Sequence, residues 1–168
     1  MCIRDSIEID DAFRSITDAS ACSTQFEKHI RHGSKRAHES LRFGSNSVER
    51  TNLVSESFER PGTSPVSGCA YDALAFLYYL RKDLADGRIA PPGRVFFGAG
   101  YEVELEYAQT RRLFWAGQRR LTDEIRVSVR GPASKHEFSV YFGRDEARTP
   151  LLIHAEFEGT LFTMQLLE

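Results

Sequence analysis

The last third of the chain alternates apolar and polar residues almost without interruption. Ile125, Val127 and Val129 alternate with Arg126, Ser128 and Arg130. His136, Phe138, Val140 and Phe142 alternate with Glu137, Ser139 and Tyr141, and Ile153, Ala155 and Phe157 with His154, Glu156 and Glu158. A period of two marks strands with one buried face, so this region predicts an antiparallel meander. Registers follow from the turns. A two-residue turn at Glu158-Gly159 sets Phe157 against Thr160, Ala155 against Phe162, Ile153 against Met164 and Leu151 against Leu166, all on one apolar, core-facing side. A four-residue loop over Gly131-Pro132-Ala133-Ser134 sets Val129 against His136, Val127 against Phe138 and Ile125 against Val140.

Upstream, Ile7, Ile9, Phe13 and Ile16 mark a first strand. Gln25 to Arg31, Arg36 to Phe43 and Ser47 to Val54 mark three more, parted by turns at His32-Gly33-Ser34 and Gly44-Ser45-Asn46. Ser55 to Gly68 has loop composition. One helix is predicted from Asp72, a good N-cap, to about Arg81, where basic residues suit the negative end of the helix dipole. It is apolar on nearly every side, as a short helix buried between layers would be. Arg94 to Phe97 and Tyr101 to Tyr107 form a hairpin about Gly98-Ala99-Gly100, and Thr110 to Trp115 a further short strand. The fold class is therefore mainly β: a strongly curved antiparallel sheet or open barrel, with the Asp72–Arg81 helix on its concave side.

Composition adds bounds. The 168 residues suit a single domain, read here as residues 7–168, and 11% aromatics suit a sheet. Lys and Arg total 22 against 24 Asp and Glu, a formal net charge of −2. That balance gives no field to recruit nucleic acid. The Arg111–Arg112 and Arg119–Arg120 pairs read as solvated turns. No apolar run reaches the roughly 18 residues of a membrane helix. Three cysteines, Cys2, Cys22 and Cys69, are too few and odd for a disulfide framework and leave a Cys22–Cys69 bridge undecided. Met1-Cys2-Ile3-Arg4-Asp5-Ser6 resembles translated sequencing adapter joined to incomplete reading frames in metagenome assemblies. Residues 1–6 are accordingly read as non-native and the natural start as lying upstream.

Reactive constellations are thin. Five histidines (His29, His32, His38, His136 and His154) form no H-x-H or H-E-x-x-H pattern, and no metal or cofactor site is read from them. Glu102, Glu104 and Glu106 share one strand face, read as solvated and paired with Arg or Lys across the strand. Ser67-Gly68-Cys69 lacks a base, and Cys69 reads as an ordinary half-buried thiol. No catalytic residue is assigned. Candidate binding positions, on the concave lining or its rim, are Phe76, Tyr79, Trp115, Arg144, Asp145 and Arg148. Asp145 is expected to accept backbone amides as an Asx turn, with Arg144 and Arg148 pairing with it.

The helix Asp72-Ala73-Leu74-Ala75-Phe76-Leu77-Tyr78-Tyr79-Leu80-Arg81, the turn Tyr141-Phe142-Gly143-Arg144-Asp145-Glu146-Ala147-Arg148-Thr149-Pro150, and the ending from Phe157-Glu158-Gly159-Thr160 through Leu166 resemble the bacterial family known as domain of unknown function 3108. Coverage runs from about Asp10 to Leu167, with departures at Ala75, Gly143 and Glu146. The resemblance implies an exported protein, periplasmic or outer-membrane-associated, whose signal peptide and first strands precede this sequence. The expected role is non-catalytic: binding a hydrophobic small molecule or an envelope protein. The alternative is a carboxylate-dependent hydrolase or carbohydrate-active enzyme using a carboxylate such as Glu102 or Asp145.

Overall fold

The computed structural model describes residues 10–52, 62–131, 134–157 and 160–166. The expected marks Ile7, Ile9 and Val54, the adapter-like residues 1–6, and the Glu158-Gly159 turn lie outside them. The described residues are mostly β-strand, beside one short helix. The strands are β1 Ala12–Thr17, β2 Ser23–His32, β3 Lys35–Phe43, β4 Ser47–Asn52, β5 Gly62–Pro65, β6 Tyr71–Asp72, β7 Gly93–Phe97, β8 Ala99–Trp115, β9 Gln118–Arg130, β10 Lys135–Gly143, β11 Pro150–Phe157 and β12 Thr160–Gln165; helix α1 is Ala73–Ala85. Strands β1 to β5 form one sheet in chain order, and β6 to β12 a second, which curls strongly into a half-barrel. The chain divides into two compact units: residues up to 75 with 96–100, and 76–95 with 101–168.

In the first unit Phe26, Leu41, Val48, Ala70 and Phe96 form the core, with Phe43, Val66 and Phe97 packed against it. Rings stabilise it beyond their area: Phe43 meets Phe96 edge-on at 5.8 Å, and Phe97 lies 5.7 Å from Phe26 and 5.3 Å from Phe13. An ion pair is buried on the same side. Lys28 and Glu39 are direct neighbours across β2 and β3, 2.9 Å apart and 8% and 1% exposed. Lys28 also sits 4.9 Å above the Phe97 ring, where the ring's negative face helps hold a charge withdrawn from water.

Helix α1 begins where the sequence places it. Asp72 is fully buried, and its Oδ1 accepts the amides of Leu74 (2.9 Å) and Ala75 (3.0 Å). Oδ2 accepts the hydroxyls of Ser15 (2.6 Å) and Ser23 (2.8 Å), while Ser23 Oγ accepts the Asp72 amide at 2.7 Å. Beside this clamp Cys22 and Cys69 are disulfide-bonded, so Cys69 is no free thiol. Their separation of 47 residues corresponds to about 4 kcal/mol of lost unfolded-chain entropy in the loop-closure account. The helix runs four residues beyond the expected end, to Ala85, and buries one stripe, Ala75, Phe76, Leu80, Asp83 and Leu84, while Tyr78 stays 60% exposed.

In the second unit Ile125, Phe142, Leu151, Leu80 and Ala90 are the most enclosed apolar side chains. Both expected registers hold: Val129↔His136, Val127↔Phe138 and Ile125↔Val140, then Ala155↔Phe162 and Ile153↔Met164. The burial expected of the last pairs does not follow. Phe162 is 50% and Met164 59% exposed, and Leu166 is exposed too. β12 is the outermost strand of its sheet, so a correct register there points apolar side chains at water instead of at a core.

Other expectations need correction. The Arg111–Arg112 and Arg119–Arg120 pairs are mostly exposed but lie within β8 and β9, because Tyr101 to Trp115 is one long strand that a bulge near Ala108 bends without ending. Part of the expected loop, Gly62–Pro65, is strand β5 paired with β4.

Two stability outcomes follow. Lys28→Ala is expected to cost about 3–5 kcal/mol by stranding the Glu39 carboxylate, whereas Lys28→Met with Glu39→Leu is expected to be close to neutral or stabilising. Urea unfolding monitored by circular dichroism decides between them, and equal losses in both would contradict the buried-pair account. Asp72→Ala is expected to cost about 2–4 kcal/mol from the lost cap and stranded donors. Asp72→Asn, which keeps an acceptor, is expected to cost less than half of that in the same assay.

Candidate functional site

The polar side of the curled sheet carries an open groove of about 550 Å³ over β8 to β12. Strand pairing lays its side chains in rows. In one row Glu106 faces Arg126, Arg126 faces Ser139, Ser139 faces His154 and His154 faces Thr163. A neighbouring row brings Glu104 and Glu137 to either side of Ser128, with Glu156 beside Leu161 at the outer edge. All of these except Thr163 line the groove. The expected pairing of exposed glutamates with arginine is found, at 3.7 Å for Glu106 with Arg126 and 3.6 Å for Glu102 with Arg94. Such exposed pairs contribute little stability but set the local charge. Glu137 is paired with Lys135 at 2.8 Å, and Glu104 and Glu156 add two further carboxylates to the lining.

The next row is buried at its middle two residues, Glu124 and Tyr141. Gln109 faces Glu124, Glu124 faces Tyr141 and Tyr141 faces Leu152. Glu124 is buried, accepting Gln109 Nε2 at 2.9 Å and Ser139 Oγ at 3.0 Å, with Arg111 at 3.8 Å. Burial alone would raise its pKa. The hydrogen bonds from Gln109, Ser139 and the Tyr141 hydroxyl, together with the Arg111 charge, outweigh burial and hold the carboxyl below its usual range. Tyr141 shifts upward, through burial first and then the Glu124 charge, so it stays a protonated donor. Its ring takes Arg111 on one face at 5.7 Å and His154 edge-on at 5.3 Å. A general acid needs a raised pKa; Glu124 is tuned the opposite way, toward permanent charge.

On the other face of β9, Asp123 is buried and accepts Thr110 Oγ1 at 2.7 Å. Arg148 reaches it at 2.7 Å and Arg144 at 3.5 Å. Both arginines were expected to pair with Asp145. They turn instead to Asp123 because it is the buried charge, where a partner is worth most. Asp145 does close the β10–β11 turn, accepting the Thr149 amide and hydroxyl, both at 3.3 Å. A β-carbon at Gly143 would lie 2.5 Å from Asp145 Oδ2, so this carboxylate rests against bare backbone. Arg81 of α1 donates to the Ala147 carbonyl of the turn at 2.9 Å.

The six candidate binding residues therefore fall into separate groups, and none lines the groove. Phe76 is buried on α1 with Tyr79 half-buried 6.4 Å from it. Trp115 is buried at the end of β8 under Arg120, 4.7 Å from its ring, as a packing anchor. Arg144 and Arg148 share Asp123, and Asp145 serves the turn. Of the groove residues His154 is weighed in the sequence only as a metal ligand, and Ser139, Glu156 and the buried pair Glu124 and Tyr141 are not marked there as candidates. One signal was available: Asp123 and Glu124 are adjacent acids within a strand-like run, so both faces of that strand must supply partners.

The family model for the protein of unknown function DUF3108 matches residues 4–166. The chain belongs to that family. No curated protein and no solved structure matches it significantly. The DUF3108 match takes in every strand and the single helix described above, so groove, Glu124 row and turn all lie within the family domain.

The low pKa of Glu124 has a pH consequence. Its folded value lies below its unfolded value of about 4.3, so the folded state binds that proton less readily. The stabilisation is complete above the unfolded value and is lost as pH falls through the folded one. Thermal melts across an acid series are expected to show a shallower loss in Glu124→Gln than in the parent chain. Parallel slopes would mean other carboxyls carry the acid sensitivity.

Proposed function

We propose that this DUF3108 protein is a non-catalytic cell-envelope protein, periplasmic or outer-membrane-associated, that docks a basic segment of a protein partner on the groove of its curled sheet. The groove lining carries the reading. Glu104, Glu106, Glu137 and Glu156 stand there; Arg126 pairs with Glu106 and Lys135 with Glu137, so Glu104 and Glu156 leave a surplus of negative charge, complementary to Lys or Arg. Leu161 on the outermost strand supplies an apolar rim. The compartment is supported by the Cys22–Cys69 disulfide, a bond that persists where the surroundings are oxidising.

A hydrophobic small molecule is the second reading, favoured by the exposed Phe162, Met164 and Leu166. The hydrolase reading loses its support, because Glu102 is exposed and paired with Arg94 and Asp145 serves its turn.

A photoreactive residue in place of Ser128, on the groove floor, tests the proposal in cells producing the natural protein. One discrete protein adduct in the envelope fraction is expected, lost on Glu104→Lys with Glu156→Lys. An adduct indifferent to that charge reversal would remove the groove as the docking site. No adduct, together with a hydrophobic molecule retained in native mass spectrometry, would favour the second reading.

A further inference from the structure

Hairpin β2–β3 turns tightly through Gly33-Ser34, with Gly33 at φ +60°. The resulting register puts His29 directly opposite His38, and Glu27 opposite Ser40. Residues two apart share a strand face, so Glu27, His29 and His38 meet on one side of the five-stranded sheet. The two imidazoles stack with centroids 3.7 Å apart and planes 29° from parallel. One ligand atom from each of Glu27, His29 and His38 lies within 4.8 Å of the others. His38 Nε2 is enclosed and makes no hydrogen bond among the described residues, an orphaned polar atom of the kind that an ion would satisfy.

We propose that Glu27, His29 and His38 form a surface site for a divalent transition-metal ion. Two imidazoles with one carboxylate suit borderline ions such as zinc, copper(II) or nickel; calcium and magnesium prefer all-oxygen sets. Bonds of about 2.1 Å require each ligand atom to move inward by only about 0.7 Å, within the reach of side-chain rotation. His29 is exposed, so the face toward solvent is open for water or a further ligand. Arg14, opposite Glu27 on β1, and Arg31 and Arg36 share this sheet face. Their charge opposes any cation here, so the nitrogen bonds must be strong enough to outweigh it.

The test uses the whole untagged chain with its disulfide intact. Zinc chloride is titrated calorimetrically at about pH 7.5, where unperturbed imidazole is neutral. One ion per chain is expected. His29→Gln, His38→Gln and Glu27→Gln should each weaken binding at least about tenfold, while His32→Gln and His154→Gln leave it unchanged. Cobalt(II) should give a d–d absorption band that His29→Gln abolishes. Circular dichroism melts report whether each variant is folded; should His38→Gln fail to fold, the exposed His29 variant carries the test alone. Absence of saturable binding in the parent chain, or parent-like affinity in His29→Gln, would overturn the site.

Discussion

A single carboxylate ties three separate stretches of the first unit together. Asp72 receives a hydroxyl from β1, a hydroxyl from β2 and two amides from the first turn of α1, and it is wholly removed from water. A buried charge is tolerated only when its acceptor sites are filled, so these elements must arrive together for any one of them to be stable there. The Ser23 amide bonded to the Ala70 carbonyl, and the disulfide one residue outside that pair, repeat the same junction by other means. Helix α1 cannot start elsewhere without emptying this site.

Buried acids recur through the molecule, each with a different answer. Glu39 is met by a lysine whose own charge leans on a phenyl ring. Asp123 is met by two arginines from a turn, and Glu124 by neutral donors with one more distant guanidinium. Neutral donors fix the Glu124 carboxylate in place, and the Arg111 guanidinium supplies its countercharge from 3.8 Å.

Registers were legible in the sequence because side-chain parity is unforgiving: one slip reverses every residue, and only one pairing sets apolar against apolar. The helix start was legible because Asp72 is a cap with a mechanism. Burial at the last strand was not, since an alternating pattern marks which face is apolar and says nothing of whether another element covers it. The length of β8 was hidden by its bulge, which breaks parity between Tyr107 and Gln109 and so imitates an end. The partners of Arg144 and Arg148 were hidden for another reason: nearest acid in sequence and nearest acid in space are different residues. The His29–His38 pair was concealed similarly, because nine positions along the chain collapse to adjacency across a hairpin.

The Cys22–Cys69 bond encloses β2 through β5 in a covalent ring. A protease that cut the backbone once anywhere between those cysteines would therefore release no fragment. The nicked chain would keep its mass without reductant and part into two pieces only when the sulfurs were reduced. Wherever a protease does make such a cut, that ring turns the loss of a fragment into a nick that the molecule can survive.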